Sequence, residues 1–328
     1  MKVLVTGGAG YIGSVVAGQL VAAGHEVVVF DNLSRGHRQA VPEGADLIVG
    51  ELADRSLLDR LLGQHDVDAV MHFAALIEAG ESMKAPEKFF RNNALHTLTV
   101  LEAMLTAEVK RFVFSSTAAL FGNPDRTPIQ EDDTVRPTNA YGESKLLVER
   151  MLAWFHQIHG FRYASLRYFN AAGAVSPDRG EAHQPETHLI PRILNVALGR
   201  LEHVNIFGAD YPTPDGTCVR DYIHVSDLAA AHLLALNALD ESSPLIYNLG
   251  NGQGFSVREV VEVARKITGH AIPVVESPRR PGDPAVLIAS SEKIRRELGW
   301  QPTVPDVETI VGSAWQWHRS HPDGYGSS

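Results

Sequence analysis

The strongest constraint on the fold is an alternation, through the first half of the chain, between short β-branched runs and longer helical patterns. The strand-like runs are Val3–Thr6, Val27–Phe30, Leu47–Val49, Ala69–Phe73, Arg111–Ser115 and Tyr163–Arg167. The helical patterns between them are Tyr11–Ala23, Arg55–Leu62, Pro86–Ala107 and Tyr141–His159. Because the strand-like runs are almost continuously apolar, they are typical of a parallel sheet covered on both faces. The pattern therefore predicts an α/β fold with a doubly wound parallel sheet.

After Asn170 the alternation loosens. The stretch AGAVSPDRGEAHQPETH, 172–188, is rich in turn formers and predicts a long loop, of a kind that is often functional. Shorter mixed elements follow: helices near Pro191–Leu198, Val225–Leu239, Val257–Thr268 and from Val307, and strands near Val204–Phe207 and Leu245–Asn248. In a chain of 328 residues this favours a first domain at 1–168 and a smaller mixed α/β domain at 169–328, with segments from about 219–250 packing back on the first.

Composition excludes several classes of protein. The formal net charge of −10 argues against a nucleic-acid-binding surface, so an anionic ligand would need a local cluster of arginine or lysine. No apolar run reaches the roughly 18 residues of a membrane span, and the glycines that follow so soon after Met1 argue against a signal peptide. The single cysteine, Cys218, excludes an internal disulfide and favours a reducing cytoplasm.

Four glycines follow the first strand, and three of them are spaced three residues apart up to the start of the first helix. A tight turn requires Gly7, close approach of the backbone to a pyrophosphate requires Gly10, and packing of the helix near the strand requires Gly13. Glycines alone are a weak signal, since a bare strand-to-helix turn can carry them. Their position directly after a strand is the context that a phosphate-binding turn needs.

The end of the second strand strengthens this interpretation. Asp31 lies about twenty residues beyond the glycines, where a carboxylate can accept hydrogen bonds from the hydroxyls of an adenine ribose. A carboxylate repels a 2′-phosphate, so NAD is favoured over NADP. Arg35 and Arg38 lie close by and leave NADP open. We expect an NAD-binding, Rossmann-like first domain.

The motif TGGAGYIG, with its G-x-x-G-x-x-G spacing, resembles the extended short-chain dehydrogenase/reductase superfamily. The resemblance implies further cofactor contacts from Gly50-Glu51, Phe73-Ala74-Ala75 and Asn92-Asn93. Glu51 stands where the superfamily usually has the aspartate that touches adenine. The expected NAD contacts are Gly7, Gly10, Tyr11, Ile12, Gly13, Asp31, Asn32, Glu51, Leu52, Phe73, Ala74, Ala75, Asn92, Ser115, Tyr141, Lys145 and Tyr168.

Tyr141 and Lys145 are one helical turn apart and face the same way. On an arbitrary helix they would be a buried tyrosine beside a lysine whose ammonium reaches solvent. Here the helix follows a dinucleotide loop and a strand that ends in hydroxyls, and Asn139 can cap its start. We therefore expect a catalytic pair, with Thr117 or Ser116 bonding the same substrate oxygen. Alternatively, these hydroxyls form hydrogen bonds with backbone groups at the end of the strand.

A phenol is a poor base at neutral pH, since its pKa is about 10. A nearby ammonium and a positively charged nicotinamide favour the phenolate, so Tyr141 can take a proton from a sugar hydroxyl while hydride leaves the same carbon. Lys145 would hold the nicotinamide ribose. The related 4,6-dehydratases carry Asp-Glu after the hydroxyl residue, whereas this chain has Ala118 and Ala119. Reversible oxidation without elimination is therefore predicted.

The stretch NIFGADYPTPDGTCVRDYIHVSDLA, 205–229, closely resembles the UDP-galactose (UDP-glucose) 4-epimerases, as do LRYFNAAGA and PRRPGDPA. Two arginines, Arg220 and Arg280, can each grip diphosphate oxygens in bidentate fashion. The resemblance implies a substrate site formed by Thr117, Tyr141, Asn170, His188, Leu189, Phe207, Arg220, Tyr222, Arg280, Asp283 and Leu287. Alternatively, Arg220 pairs with Asp221 or Asp227, and Phe207 is plain core.

Four positions depart from the family pattern: Ile77 replaces a lysine, Phe121 a tyrosine and His188 an asparagine, and Leu287 is intermediate in size at a position that gates N-acetylated sugars. His224 and Cys218 are interpreted as structural. No metal is expected, because the fifteen histidines are scattered without ligand spacing.

These features predict an NAD-dependent UDP-glucose 4-epimerase. A 4-epimerase of UDP-N-acetylglucosamine or UDP-glucuronate is one alternative, and a non-catalytic NAD-binding sensor is a remote one. The resemblance also implies a homodimer that pairs Pro86–Ala107 and Tyr141–His159 in a four-helix bundle. Apolar residues on more than one face of the second helix agree with this: Leu147, Met151, Trp154, Phe155 and Ile158. A helix buried within one chain is the alternative.

Overall fold

The computed structural model describes residues 1–280 and 283–326. Pro281 and Gly282 of the PRRPGDPA motif and the last two residues of the predicted second domain lie outside the described residues. Among those described, no helix has both the length and the apolar character needed to cross a lipid bilayer. The cytoplasmic location stays a prediction.

The chain divides into two compact units. Unit 1 comprises Met1–Gly122, Val135–Arg167 and Ala229–Tyr247, and unit 2 comprises Asn123–Thr134, Tyr168–Leu228 and the described residues from Asn248 onward. The sequence analysis assigned all of 123–134 to the first domain. The functional assignment of 1–168 and 169–328 as two domains stays a prediction.

The elements alternate along the chain much as predicted. The strands are β1 (Lys2–Thr6), β2 (Glu26–Asp31), β3 (Ala45–Val49), β4 (Ala69–His72), β5 (Arg111–Ser115), β6 (Arg162–Tyr168), β7 (Asn170–Ala172), β8 (Val204–Phe207), β9 (Val219–His224), β10 (Leu245–Leu249), β11 (Gly254–Ser256), β12 (Val274–Ser277) and β13 (Val286–Leu287). The α-helices are α1 (Tyr11–Ala22), α2 (Arg55–Gln64), α3 (Ala79–Ser82), α4 (Pro86–Phe89), α5 (His96–Thr106), α6 (Ala140–His159), α7 (Leu189–Ala197), α8 (Val225–Ala238), α9 (Val257–Thr268), α10 (Glu292–Leu298) and α11 (Val307–Ser320).

A seven-stranded sheet is the main element of the fold, with strand order β10-β6-β5-β4-β1-β2-β3. β1 pairs in parallel with both β2 and β4, and β5 pairs in parallel with β4 and β6. The first six strands follow the order 3-2-1-4-5-6 of a doubly wound dinucleotide-binding sheet. The predicted Rossmann-like fold class is confirmed. Successive strands are added on one side of β1 up to β3 and on its other side from β4 onward. The carboxyl ends of β1 and β4 therefore lie at the crevice where such folds bind ligands.

His72, at the end of β4, ties the centre of this sheet to a helix. Its ring is 1% exposed and stacks on Phe112 and Phe114 of β5. Its two nitrogens lie 2.7 Å from the Thr6 hydroxyl of β1 and 2.9 Å from the Thr97 hydroxyl of α5. Burial, with a smaller effect of the Lys145 cation, lowers the pKa of His72 to about 3, so the imidazole is neutral.

The predicted single helix Pro86–Ala107 is interrupted. A π-helical segment, Phe90–Leu95, separates α4 from α5. Asn93 lies in this segment and is buried, and its amide nitrogen donates to the Leu76 carbonyl at 2.9 Å and to the Ser144 hydroxyl at 3.0 Å. Its side-chain oxygen accepts from the Leu76 amide at 2.9 Å. The extra residue of a π-turn thus lets one side chain hold both the loop after β4 and helix α6.

Unit 2 contains several short strands, of which the sequence analysis predicted β8 but not β7, β9, β11, β12 and β13. β9 pairs in antiparallel fashion with β11 and in parallel with β7 and β13, and β8 pairs in parallel with β12. The helices α7, α9 and α11 share an apolar core that includes Leu194, Val260 and Ile310. Helix α9 spans the predicted Val257–Thr268 and begins with a capping box between Ser256 and Glu259.

Candidate active site

The glycine loop joins β1 to α1 by a close turn. Gly7 has φ +73°, and a Cβ there would lie 2.5 Å from the backbone nitrogen of Ala74. A Cβ at Gly13 would lie 2.3 Å from the Gly7 carbonyl oxygen. The helix begins after Gly10 with no side-chain cap and no acidic residue in its first turn. The first N–H groups of α1 therefore point out of its N-terminus, where they can donate to an anion such as a pyrophosphate.

Asp31 ends β2 beside this loop. One carboxylate oxygen accepts from the Ala9 amide at 3.0 Å and the other from the Leu33 amide at 2.8 Å. Burial raises the pKa of Asp31, and these two N–H donors oppose that rise. Asn32 is exposed, and its amide donates to both carboxylate oxygens of Glu51 at 3.1 and 3.2 Å. The segments that follow β2 and β3 are thus joined by this contact between Asn32 and Glu51.

Arg35 is one of the two arginines that left NADP as an alternative cofactor in the sequence analysis. It forms an ion pair with Glu78 at 3.2 Å. Its guanidinium therefore has an acidic partner in unit 1. Other predicted cofactor residues differ in burial. In unit 1, Tyr11 and Leu52 are buried, Ile12, Phe73, Ala74 and Ala75 are half-buried, and Phe73 packs on His232. Tyr168, the last residue of β6, is half-buried. Asn92 donates its amide to the Asn93 side-chain oxygen at 3.0 Å.

The predicted start of the helix that carries the tyrosine and lysine is confirmed. Asn139 caps α6, accepting from the Gly142 amide at 2.8 Å. Lys145 lies one turn after Tyr141 and is 2% exposed. Its ammonium donates to the Ser115 carbonyl at the end of β5 at 2.8 Å and lies 4.8 Å from the centre of the Phe114 ring. Burial lowers the pKa of Lys145 to about 7.

Tyr141 and Thr117 are hydrogen-bonded to each other through their side chains. Burial raises the pKa of Tyr141, the Thr117 hydrogen bond lowers it, and the carboxylate of Glu78 raises it. In the protein alone the balance is upward, opposite to the lowering expected with a charged nicotinamide beside the phenol. Thr117 also accepts from the Ala119 amide at 3.1 Å and so caps a 3₁₀ turn, Ala118–Phe121.

Ser116 has a different environment from Thr117. Its hydroxyl donates to a carboxylate oxygen of Glu149 at 2.6 Å. Glu149, two turns after Tyr141 on α6, forms a buried ion pair with Arg167 of β6, with contacts of 2.6 and 3.0 Å. The guanidinium of Arg167 also lies 5.4 Å from the ring centre of Phe121. Of the two hydroxyls, only that of Thr117 is bonded to the phenol in the described residues.

In unit 2, β9 carries Arg220. Its guanidinium donates to Asp283 at 2.9 Å and to the Val219 carbonyl at 2.8 Å. The two carboxylates considered as alternative partners are engaged elsewhere: Asp221 accepts from the amides of Asn251, Gly252 and Ala289, and Asp227 accepts from Thr303 and Val304. The ion pair of Arg220 therefore joins two residues that were predicted to bind the same ligand.

The second predicted arginine, Arg280, lies on the ring of Phe207, with its guanidinium carbon 3.9 Å from the ring centre. Burial lowers the pKa of Arg280. Phe207 is half-buried at the end of β8, so it is not plain core. Asn170 is exposed, and its amide donates to the Asp221 carbonyl at 2.8 Å.

The strand register places further predicted residues next to these. Leu287 of β13 is the register partner of Arg220, and Tyr222 of β9 is the register partner of Asn170. Tyr222 is buried, which raises the pKa of its phenol. Cys218, interpreted as structural, is buried.

His188 precedes α7, and Leu189 begins it and packs on the core of unit 2. The imidazole of His188 belongs to a group that the sequence analysis missed. The group, called here the His–Glu cluster, consists of Glu181, His183, Glu186 and His188. Although burial lowers it, hydrogen bonds to the two carboxylates raise the pKa of His183 to about 9. The histidines are therefore not all scattered, and the pattern E-x-H-x-x-E-x-H was the signal in the sequence.

Known proteins resemble this chain along nearly all of its length. The profile described as "NAD dependent epimerase/dehydratase family" matches residues 3–250. A protein of Halalkalibacterium halodurans named UDP-glucose 4-epimerase is 53% identical over 99% of this chain and 98% of its own length. One of the same name from Streptomyces lividans is 54% identical, with the same coverage.

A solved structure agrees with these relatives. It is that of UDP-glucose 4-epimerase from Bifidobacterium longum in complex with NAD+ and UDP, which superposes with a TM-score of 0.95 at 37% identity. The match covers 99% of this chain and 100% of that one. Together with the glycine loop, the sheet order and the Tyr141–Lys145 helix, these matches show that the chain belongs to the NAD dependent epimerase/dehydratase family.

Proposed function

We propose that this protein is an NAD-dependent UDP-glucose 4-epimerase, which oxidises C4 of the sugar, lets the 4-keto sugar turn, and reduces it from the opposite face. The observation that carries the proposal is an arrangement on α6: Tyr141 is hydrogen-bonded to Thr117, and the buried Lys145 follows Tyr141 by one helical turn. Full-length relatives named UDP-glucose 4-epimerase, about half identical to this chain, support the same activity.

The residues at the ends of β1 and β2 fit NAD. The glycine loop has no room for a Cβ at Gly7 or Gly13, and its helix start leaves N–H groups for a pyrophosphate. Asp31 presents a carboxylate where an adenine ribose would lie. Bound NAD supplies the hydride acceptor for the first half-reaction and the hydride donor for the second.

Proton transfer falls to Tyr141. Its phenolate accepts the proton of the C4 hydroxyl, while Thr117 bonds the same oxygen and holds it in line. Lys145 supplies a positive charge within the site. Its pKa of about 7 is close to the pH at which the enzyme would work. Because Ala118 and Ala119 follow Thr117, no acid at those positions can expel a hydroxyl, so the oxidised sugar is re-reduced rather than dehydrated.

Recognition of UDP would fall to residues of unit 2. Arg220 and Arg280 provide two planar guanidiniums for a diphosphate, within a chain whose formal net charge is −10. The amide of Asn170 has a second N–H that can donate to a phosphate oxygen. Asp283 would accept from the uridine ribose, and Phe207 would lie against the uracil ring. Placing the binding energy on UDP leaves the hexose free to turn.

The direct test is to incubate the purified protein with NAD and UDP-galactose and to follow UDP-glucose by NMR. Tyr141→Phe should lower the turnover by about 10²–10⁴-fold, because it removes the acid/base group but little volume. Tyr163→Phe removes a phenol from a buried site on β6 and is the matched control. Absence of conversion by the wild-type protein would refute the activity, and near-normal turnover by Tyr141→Phe would refute the base.

The sugar preference is proposed to depend on Leu287. This side chain is half-buried and lies in register with Arg220, which makes it a neighbour of the proposed diphosphate site. Replacement by tyrosine should reduce the rate with UDP-N-acetylglucosamine relative to UDP-glucose. Rates with these two substrates and UDP-glucuronate, before and after Leu287→Tyr, measure the preference. A ratio that tyrosine leaves unchanged would argue against this role.

A homodimer through the two helical segments is also proposed. Trp154 and Ile158 are 63% and 64% exposed on α6, one turn apart, and Leu95 is 51% exposed on the paired segment. Large apolar side chains with this exposure are typical of an interface. Light scattering should give a dimer for the wild type and a monomer for Trp154→Glu/Ile158→Glu. The control is Val275→Glu, at an exposed apolar position on β12. A wild-type monomer would refute the proposal.

A further inference from the structure

The His–Glu cluster brings four side chains of one short segment around a common point. Each residue offers one atom, and the four atoms lie within 4.8 Å of one another. The Nδ1 atom of His188 is 2.8 Å from Glu181 and 3.1 Å from Glu186. The Nδ1 atom of His183 is 3.0 Å from Glu181 and 3.8 Å from Glu186. Each nitrogen therefore faces both carboxylates.

Hydrogen bonds alone account poorly for this arrangement. A ring N–H has a single direction and makes one good hydrogen bond, yet the Nδ1 of His188 lies within 3.1 Å of both carboxylates and that of His183 within 3.8 Å of both. If both imidazoles were protonated to balance the carboxylates, two cationic rings would lie with centres 5.1 Å apart. Their repulsion opposes this arrangement. Burial also lowers the pKa of both rings, but the two carboxylates raise it by more, so an ion would bind by displacing the ring protons. One cation at the common point would instead satisfy all four atoms with the imidazoles neutral.

The separations suit a small divalent ion. In a tetrahedral site with bonds of about 2.0–2.1 Å, neighbouring ligand atoms lie roughly 3.3 Å apart. The contacts between nitrogen and oxygen are 2.8 to 3.8 Å, the longest being that of His183 to the second carboxylate oxygen of Glu186. The four ligand atoms lie within 4.8 Å of one another, so their widest separation would have to shorten when the ion binds. Two imidazoles with two carboxylates are a ligand set for zinc, whereas magnesium and calcium prefer oxygen alone. We propose that the His–Glu cluster binds one zinc ion through four protein ligands.

The position of the cluster indicates what the ion would do. It lies at the end of the turn-rich stretch 172–188, where the described regular structure is limited to short β-type contacts, and directly before α7. The Glu181 carbonyl accepts from the Trp317 indole of α11 at 2.9 Å, and Gly180 bonds the Tyr325 hydroxyl. Four protein ligands leave no open coordination position, as in structural zinc sites. The ion would therefore hold this stretch against α11 and fix the start of α7.

The experiment is a zinc titration of the full chain without an affinity tag, after removal of metal by a chelator. With a chromophoric chelator as competitor, the wild type should take up one zinc ion per chain with a Kd below about 1 μM. His183→Gln should weaken binding by at least about 100-fold, since it removes a ligand. His270→Gln, at an exposed histidine outside the cluster, should bind as the wild type does. Magnesium should not compete.

A second measurement separates a specific site from loose binding. Zinc should raise the melting temperature of the wild type and of His270→Gln but not that of His183→Gln. His188→Asn, which introduces the residue that the related epimerases carry there, covers the case in which His183→Gln does not fold. Cobalt bound by the wild type should show the intense visible bands of a tetrahedral site. A wild type that takes up less than about one-fifth of an equivalent, or variants that bind zinc as tightly as the wild type does, would overturn the proposal.

Discussion

The lowered pKa of Lys145 can be tested through the pH dependence of protein stability. The residue is 2% exposed, its ammonium donates to the Ser115 carbonyl, and burial lowers its pKa from 10.5 to about 7. Lys145→Met keeps an unbranched side chain of similar length and removes the charge. The relevant quantity is the difference in unfolding free energy between variant and wild type, measured at two pH values.

The sign follows from proton binding. Since the folded pKa is below the unfolded one, the unfolded state holds more protons between about pH 7 and 10.5, so wild-type stability rises with pH across that window. Below about pH 7 the buried charge opposes folding in full, and Lys145→Met should be the more stable protein. From pH 7 to pH 9, two units at about 1.36 kcal/mol each give the wild type about 2.7 kcal/mol relative to the variant. The contacts that the substitution by methionine removes lower the stability of the variant equally at both pH values. They therefore cancel when the two differences are compared.

The assay is urea unfolding of both proteins, freed of bound nucleotide, at pH 6 and pH 9, followed by tryptophan fluorescence. If the chain of 328 residues unfolds as one unit, the same change corresponds to about 4 °C in the difference between the two melting temperatures. Lys110→Met, at an exposed lysine, corrects for the general loss of one positive charge. If the difference between variant and wild type is the same at pH 6 and pH 9, Lys145 is not held at a lowered pKa and the argument fails.

Three further outcomes are expected. Gly7→Ala, which places a methyl group against the main chain at φ +73°, should reduce NAD affinity by about 100-fold or more in a fluorescence titration; unchanged affinity would show that the loop tolerates a Cβ. Glu149→Gln leaves Arg167 buried without its charge partner and should cost about 3–5 kcal/mol in urea unfolding; a cost below about 1 kcal/mol would contradict this. Thr117→Val removes a hydrogen bond that lowers the pKa of Tyr141, so the alkaline rise of the rate should shift to higher pH; an unshifted profile would count against Thr117.

Much of the fold could be predicted because it is encoded locally. Most strands of the seven-stranded sheet are short apolar runs, and their alternation with helical segments predicts a doubly wound parallel sheet. Helix α9 was predicted with its observed bounds, since its apolar period and its capping residues lie within the same segment. In unit 2, β8 was predicted. The strands β7, β9, β11, β12 and β13 were missed, because they have only two to six residues and pair with partners far away in the chain. The π-turn at Asn93 was missed for a similar reason, because its side-chain partners lie on other segments.

The candidate site divides in the same way. The Tyr141–Lys145 spacing and the glycine loop were visible in the sequence, because one helical turn and one tight turn are local geometry. The preference for Thr117 over Ser116 was not, because it depends on the buried carboxylate of Glu149, to which Ser116 donates. The pairing of Arg220 with Asp283 was also invisible, since it joins residues 63 positions apart.

The sequence by itself determined the parallel sheet, the turn at Gly7 and the pairing of a phenol with an ammonium on one helix face. These depend on backbone sterics and on periodicity, which act over a few residues. Only the tertiary structure decided the protonation and the partners of these groups. Burial lowers the pKa of Lys145 and raises that of Tyr141. Desolvation and charge contacts depend on every segment packed around a group, and no local pattern contains them.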